Sequence, residues 1–264
     1  MFVHGIDFSG AADAGRRIWI SSGVIHDGRL RIMETRPASE LPGGSVVRDT
    51  ALRALRSFIR SASGAIGLDF PFGLPRVVTA KPTWTEFILD FSSRYPTAAA
   101  FRAECRQLSA RELRRTTDAE AHAPWAAWNW RLYRQTYFGI GEVIAPLVRE
   151  RRVRVLPMQE ADHATPLLLE ICPASTLRRL GIAGLRYKGG ADADQRRARK
   201  AIVSRLGEAT RMAIDPIARR RAIGDPGGDA LDSLVAAVAV HRAIAGGRIQ
   251  PTDAIYQIEG FIYV

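Results

Sequence analysis

The chain has 264 residues, of which 47% are hydrophobic, so it can bury the core of one large domain or of two small ones. Its 38 Lys and Arg residues against 27 Asp and Glu residues give a formal net charge of +11. This charge favours an anionic partner, nucleic acid first, although an arginine-rich composition can also reflect genomic base composition. The two cysteines exclude a disulfide framework, and neither they nor the five histidines have the spacing of a zinc site.

The sequence also predicts where the protein works. Its first residues, MFVHGIDF, lack the basic start of a secretory signal, and Asp7 interrupts their apolar run. The longest apolar run, residues 234–240, is too short to cross a bilayer. We therefore expect a cytoplasmic protein without a membrane partner.

The first quarter of the chain predicts three antiparallel strands, a helix and a fourth strand. Strand patterns cover residues 2–8, 16–25 and 28–35, and the Asp-Gly pair between the last two is typical of a hairpin. In SVVRDTALRALRSFIRSA the apolar spacing changes to that of a helix, with Ser45 as the expected N-cap. The fourth strand, GAIGLDF, is almost wholly apolar, so we expect it to be central and parallel to the first.

The remainder predicts a helical insertion and then further strands and helices. Residues from about 76 to 152 favour helices, and they are too many for a simple crossover between two strands. The segments RVRVLP and TPLLLEICP are strand candidates, and helical segments follow them. After the break GDPGG comes the helix DALDSLVAAVAVHRAIAGG, and AIYQIEGFIYV closes as one or two strands. We expect a single domain over residues 1–264.

Four aspartates stand where a sheet or a helix can present metal ligands. Asp7 ends the first strand and Asp69 the fourth, so parallel neighbouring strands place their carboxylates side by side. Asp229 and Asp232 are three residues apart and share one face of the C-terminal helix. Carboxylates this close repel each other, and Mg²⁺ or Mn²⁺, which prefer carboxylate oxygens, remove that cost. A pair of such cations suits the hydrolysis of a phosphodiester.

Each acidic residue also has a structural interpretation. Asp7 and Asp69 are of the residue type that often follows a strand in a turn. Asp229 is a natural N-cap, and Asp232 would then lie in the first turn, where the helix dipole favours a carboxylate. Glu170, inside the apolar segment LLLEIC, fits an accessory metal ligand, an outer general base or the partner of a buried arginine. The structural interpretations do not explain the order of the four aspartates along the predicted elements.

This order of strands, helix and aspartates resembles the ribonuclease H fold. The acidic quartet looks most like that of the Holliday-junction resolvases, whose second acidic position is commonly Glu where this chain has Asp69. The segments GIDFSGA, GLDFPFG, LEICPAST, GDALDSLVAAVAV and EGFIYV resemble the domain-of-unknown-function 429 family, which is described as predicted ribonuclease H-like nucleases. The resemblance implies an α/β fold with a mixed five-stranded sheet in the order 3-2-1-4-5, flanking helices and a helical insertion.

We therefore predict a phosphodiester hydrolase, a nuclease, that depends on Mg²⁺ or Mn²⁺. In this prediction Asp7 bridges two cations, Asp69 and Asp232 each hold one, and Asp229 and Glu170 assist. Two alternatives stay open because a fold does not determine a function. One is a nucleotide-binding phosphoryl-transfer enzyme of the actin-like branch, and the other is a nucleic-acid-binding protein without catalysis.

Two segments are candidates for contact with nucleic acid. WAAWNWRLYRQTYFGIG combines aromatic rings with arginines, as surfaces that stack unpaired bases do, while helical spacing assigns Trp125 and Trp128 to the core. RYKGGADADQRRARK is the densest basic run and fits a phosphate contact or a solvated helix face. The sequence does not distinguish DNA from RNA, or a monomer from a homodimer. The candidate nucleic-acid ligands are Trp130, Arg131, Arg134, Lys188, Arg196 and Arg197.

Overall fold

The computed structural model describes residues 1–109, 111–162, 164–247 and 249–264. Within these ranges the chain forms an α/β structure, in which helices flank a mixed sheet of parallel and antiparallel strands. No helix of the described residues is both long enough and apolar enough to cross a membrane. His163, one of the histidines that the sequence assigns to no metal, lies outside the described residues.

The sheet of the described residues has eight strands. In chain order they are β1 (Phe2–Asp7), β2 (Trp19–His26), β3 (Arg29–Pro37), β4 (Ala65–Leu68), β5 (Arg154–Leu156), β6 (Leu167–Ile171), β7 (Ala213–Ile214) and β8 (Ile262–Tyr263). Their spatial order is β5-β6-β4-β1-β2-β3-β7, and β8 pairs with β6 off this path. The antiparallel pairs are β1 with β2 and β2 with β3, whereas β1 with β4 and β4 with β6 are parallel. The five strands expected from the sequence are therefore too few for this sheet.

The helices of the described residues lie mostly after β4. They are α1 (Ala14–Arg17), α2 (Arg48–Ser61), α3 (Arg76–Thr79), α4 (Trp84–Arg94), α5 (Ala98–Leu108), α6 (Thr116–Glu120), α7 (Tyr133–Phe138), α8 (Ala145–Arg149), α9 (Pro173–Arg179), α10 (Ala193–Thr210), α11 (Pro216–Gly224), α12 (Asp229–Ala245) and α13 (Tyr256–Glu259). A 3-10 turn covers Ala38–Glu40, and a π-helical turn, Gly139–Ile144, joins α7 to α8. Helices α3 to α8 thus occupy the stretch where the sequence predicts a helical insertion.

Two apolar clusters lie against the sheet. Side chains alternate between the two faces of β1, so Ile6 lies in the first cluster and Val3 in the second. The first cluster also includes residues of α2 and of the helices between β4 and β5. The second cluster is dominated by α12, whose residues from Leu234 to Val240 are completely buried. A helix that is apolar all round needs neighbours on every side, and α12 finds them in the sheet and in α9, α10 and α11.

Glycine at two positions lets α12 lie directly on the central strands. A Cβ at Gly5 in β1 would stand 2.1 Å from the backbone nitrogen of Ala237 and 2.2 Å from the carbonyl oxygen of Ser233. A Cβ at Gly67 in β4 would stand 2.6 Å from a methyl group of Val240. Only glycine permits backbones to approach this closely. The chain thus contains a repeated Gly-x-Asp-Phe phrase, at residues 5–8 and 67–70. In each copy the glycine lets α12 pack on the strand, two residues before the aspartate.

Several predicted boundaries are wrong for local reasons. The first hairpin contains α1, so β2 begins at Trp19 rather than at residue 16. Ser45 does not cap α2: Val47 is the N-cap, and the Ser45 hydroxyl accepts the N–H of Val47 at 3.2 Å. The C-terminal segment forms the helix α13 before β8, instead of strands alone.

The buried histidine of β1 predicts a pH dependence of stability. His4 is 8% exposed, and its Nδ1 lies 2.9 Å from the Ser22 hydroxyl oxygen. Desolvation by burial lowers its pKa from 6.5 to about 4, so the unfolded chain binds the proton first. The contribution of the neutral His4 side chain to the free energy of unfolding is therefore complete above pH 6.5. It is lost as the pH falls from 6.5 towards 4, by about 3 kcal/mol in total.

This expectation is checked by urea unfolding of the wild type and of His4→Asn at pH 7 and pH 4. The wild type should lose about 3 kcal/mol more unfolding free energy between these pH values than the variant does. His26→Asn, at a histidine whose side chain is 85% exposed, is the matched control and should retain the wild-type dependence. An identical pH dependence in His4→Asn and the wild type would contradict the prediction.

Candidate metal centre

Three carboxylates converge at the ends of two parallel strands. Asp7 is the last residue of β1, and Asp69 follows β4 directly. The N–H of Asp69 donates to the carbonyl oxygen of Ile6 at 3.1 Å, so the ladder between the strands runs up to both aspartates. Asp232, on the first turns of α12, reaches the same point. Oxygen atoms of Asp7, Asp69 and Asp232 all lie within 4.8 Å of one another, and we call these three residues the aspartate triad.

The start of α12 leaves its own carboxylates available. Gly228 is the N-cap, and the carboxylate of Asp225 accepts the N–H of Ala230 at 3.0 Å. The interpretation of Asp229 as the N-cap is therefore wrong, because Asp225 in the GDPGG segment satisfies that part of the helix end. Asp229 is half-buried and borders the same cleft as the triad, but it is not one of the three mutually close carboxylates. Asp232 is 1% exposed, so the sheet and its neighbours surround it.

A cleft of about 530 Å³ opens over the aspartate triad. Its walls come from the segments after β1, β4 and β6, represented by Phe8, Phe70 and Cys172. The cleft lies beyond the carboxyl ends of these strands, which is where open α/β sheets bind their ligands. Trp125, from the loop between α6 and α7, forms part of its wall.

A lysine and a tyrosine ahead of α10 also reach the triad. The ammonium of Lys188 forms an ion pair with Asp232, and the Tyr187 hydroxyl donates to Oδ1 of Asp232 at 2.7 Å. The Lys188 side chain as a whole is half exposed, while its ammonium lies beside the buried Asp232 carboxylate. The sequence selected Lys188 for a contact with nucleic acid and missed Tyr187. The Tyr-Lys-Gly-Gly sequence marks this segment as a polar loop, which was the available signal.

The protonation properties of the cluster reflect burial of negative charge. Desolvation raises the pKa of Asp7 well above its ordinary range and that of Asp69 to about 8; Lys188 opposes the rise, and Asp232 adds to it. Desolvation also raises the pKa of Asp229 to about 6, with Asp225 contributing. Although desolvation opposes it, Asp232 and Asp7 hold the pKa of Lys188 well above its usual value. The site therefore has a deficit of positive charge, which a divalent cation would supply.

With this geometry in place, the comparisons with known proteins assign a family. Residues 5–254 match a family model described as "Protein of unknown function (DUF429)". The chain belongs to this family. No curated protein and no solved structure matched the chain. The matched residues include the whole aspartate triad, Asp229 and the Tyr187–Lys188 pair.

In this DUF429 protein Glu170 lies apart from the triad and pairs with a buried arginine. Its two oxygens accept from Arg115, at 2.5 Å from Nη2 and 2.8 Å from Nη1, and Oε2 also accepts the N–H of Phe72 at 2.9 Å. Arg115 is 1% exposed and also binds the carboxylate of Asp118 at 2.7 Å and the carbonyl oxygen of Glu259 at 3.0 Å. Of the three interpretations left open by the sequence, the structure shows the pair with a buried arginine, and Glu170 also lines the cleft.

The tryptophans of the DUF429 protein divide between core and surface. Trp128 is 1% exposed, as the helical spacing predicts. Trp125 is 37% exposed and borders the cleft, so its assignment to the core is wrong. The stretch from Trp125 to Trp130 is a series of turns instead of a helix, and the helical spacing therefore did not apply to it. Trp130 is 61% exposed, and the Arg131 guanidinium lies over its ring.

The remaining candidate ligands for nucleic acid lie away from the triad. Arg134 is exposed, and its Nε donates to the Tyr133 hydroxyl at 3.0 Å. Arg196 and Arg197 are exposed on α10 and line a different groove, with Arg220 of α11 on its opposite side. The structure thus brings together Lys188 and the aspartates, but not the rest of the basic run.

Proposed function

We propose that this DUF429 protein is a metal-dependent phosphodiester hydrolase, a nuclease with a ribonuclease H-like core. The aspartate triad carries the proposal, because three carboxylates from β1, β4 and α12 point their oxygens at one place in a cleft. The core that we propose consists of β3, β2, β1, β4 and β6, in that spatial order, with α12 as the final acidic helix. The net charge of +11 supports nucleic acid as the substrate.

The donor set suits Mg²⁺ or Mn²⁺. Asp7, Asp69 and Asp232 would hold the cation through carboxylate oxygens, which these hard ions prefer, and Asp229 is a further carboxylate that lines the cleft. When bound, the cation supplies charge neutralisation at the phosphate and an activated water. Tyr187 fixes the carboxylate of Asp232 through its hydrogen bond. Lys188 neutralises Asp232 before the cation binds, and it can then turn to a phosphate oxygen because its side chain is half exposed.

The proposal is tested by hydrolysis of bis(p-nitrophenyl) phosphate and of fluorescent DNA and RNA oligonucleotides. We expect turnover with Mn²⁺ or Mg²⁺, loss of turnover in EDTA and recovery when excess cation is added. A control reaction with Ca²⁺-free and Mg²⁺-free buffer separates this activity from a metal-independent contaminant. Failure to hydrolyse any of these phosphodiesters with either cation, or hydrolysis that survives EDTA, would overturn the proposal.

Cation binding is expected to depend strongly on pH. The pKa of Asp69 is about 8 in the metal-free protein, because the carboxyl group is desolvated and lies close to Asp232. A cation must therefore displace at least one proton below pH 8, so the affinity for Mg²⁺ should tighten by about tenfold or more for each pH unit from 6 to 8. Calorimetric titration in two buffers of different ionisation enthalpy measures both affinity and proton release. Equal affinities at pH 6 and pH 8 would contradict this assignment.

A further inference from the structure

Two exposed tryptophans and an arginine form a cluster at the edge of the cleft. Trp125 is 37% exposed and lines the cleft, and Trp130 is 61% exposed. The Arg131 guanidinium carbon lies 4.9 Å from the ring centre of Trp125 and 4.7 Å from that of Trp130. We call Trp125, Trp130 and Arg131 the aromatic rim.

The loop that carries the aromatic rim is held in place by its buried side. Trp128 points into the core, and the Asn129 amide donates to both carboxylate oxygens of Glu112, at 2.7 and 2.9 Å. The Asn129 side-chain oxygen also accepts the N–H of Arg131 at 2.9 Å. The exposure of the neighbouring rings is thus a feature of a fixed loop. Burying a large apolar side chain stabilises a protein by about 1.5–3 kcal/mol, and the exposed rings do not contribute this stabilisation in full. Their exposed surface is therefore available to a ligand.

We propose that the aromatic rim stacks an unpaired nucleobase, so that the substrate of this site is single-stranded nucleic acid. This inference rests on the proposed function, because it places the base beside the aspartate triad. Aromatic faces and guanidinium planes stack on exposed bases, whereas the bases of an intact duplex are already stacked on each other. Trp125 and the triad line the same cleft, so a strand whose base stacks at the rim can extend its backbone towards the carboxylates. The charge of Arg131 additionally attracts the phosphates of that strand.

The test measures binding and hydrolysis separately. Anisotropy of labelled twelve-nucleotide dT and U strands, and of the same strands in duplex form, is recorded in EDTA for the wild type, Trp125→Ala and Trp125→Phe. Removing the ring should weaken single-strand binding by about 5- to 150-fold, the range for one lost base stack, and should leave duplex binding unchanged. Trp125→Phe should restore most of the affinity. Ile217→Ala, at an apolar side chain of α11 that is 57% exposed, is the control and should bind like the wild type.

The outcomes separate this inference from the proposed function. A wild type that binds duplexes as tightly as single strands, or a Trp125→Ala variant with an unchanged ratio between the two, overturns the inference even if hydrolysis occurs. Loss of affinity for the dT strand, the U strand or both supports it. Hydrolysis by the wild type is measured separately, with bis(p-nitrophenyl) phosphate and with the DNA and RNA oligonucleotides in Mn²⁺ or Mg²⁺. Absence of metal-dependent hydrolysis of all of these phosphodiesters in the wild type overturns the proposed function instead.

Discussion

Asp7→Asn is expected to reduce metal-dependent hydrolysis by about a thousandfold or more, the scale for losing a group central to the chemistry. At the same time it should make the metal-free protein more stable at pH 8. Asp7 is 6% exposed, and desolvation raises its pKa well above the ordinary range. A carboxyl group whose pKa is higher in the folded state stabilises the fold at low pH, and this contribution is lost as the pH rises. The neutral amide of Asn removes the cost of ionising a buried group, so activity and stability should change in opposite directions.

Thermal unfolding in EDTA at pH 8, together with the Mn²⁺-dependent assay, measures both effects. Asp49→Asn makes the same chemical change at a side chain that is 71% exposed, and it should alter neither quantity. Added Mn²⁺ should raise the melting temperature of the wild type and of Asp49→Asn, and much less that of Asp7→Asn. Full activity in Asp7→Asn would remove Asp7 from the site. Lower stability in EDTA would show that its carboxylate has a structural role.

The repeated Gly-x-Asp-Phe phrase shows how far local sequence could predict the site. Two apolar strands that each end in an aspartate predict neighbouring carboxylates once the strands are taken as parallel, and the structure places Asp7 and Asp69 in that arrangement. The roles of Gly5 and Gly67 could not be predicted, because they depend on a helix more than 150 residues further along the chain. Local periodicity reports which face of an element is buried, and it does not report what covers that face.

The same limit explains why some contacts of the site and some short elements were not predicted from the sequence. Lys188 and Tyr187 meet Asp232 across 44 and 45 positions of the chain, and nothing in the basic run marks which of its charges turns inward. β7 has two residues, too few for a period to be recognised, and α1 has four within a turn-like segment. The helix α2 was predicted because its apolar spacing extends over several turns, and α12 was predicted because a Gly/Pro break precedes its long apolar run and a Gly-Gly pair follows it.

Arg115→Met should destabilise the fold by about 3–5 kcal/mol, the scale for removing one partner of a buried ion pair. Arg115 is 1% exposed and is the cation shared by Glu170 of β6 and Asp118 of α6. Its removal leaves two carboxylates without a counter-charge in a water-excluded place. Urea unfolding at pH 7.5 measures the loss, and Arg106→Met, on the exposed side of α5, is the control in which little change is expected.

The pH dependence identifies the cause of this deficit in unfolding free energy, by which Arg115→Met falls below the wild type. Desolvation raises the pKa of Glu170, and Arg115 counteracts part of the rise, so the pKa should climb further in Arg115→Met. A raised folded-state pKa means that stability is retained at low pH and lost as the pH increases, so the deficit should be smaller at pH 5 than at pH 7.5. Adding Glu170→Gln to Arg115→Met should recover part of the deficit at pH 7.5, because one unpaired charge is gone. A deficit that is the same at both pH values and is unchanged by Glu170→Gln would attribute the loss to packing around the arginine stem. Metal-dependent hydrolysis by the double variant would show that the Glu170 carboxylate takes no part in the chemistry.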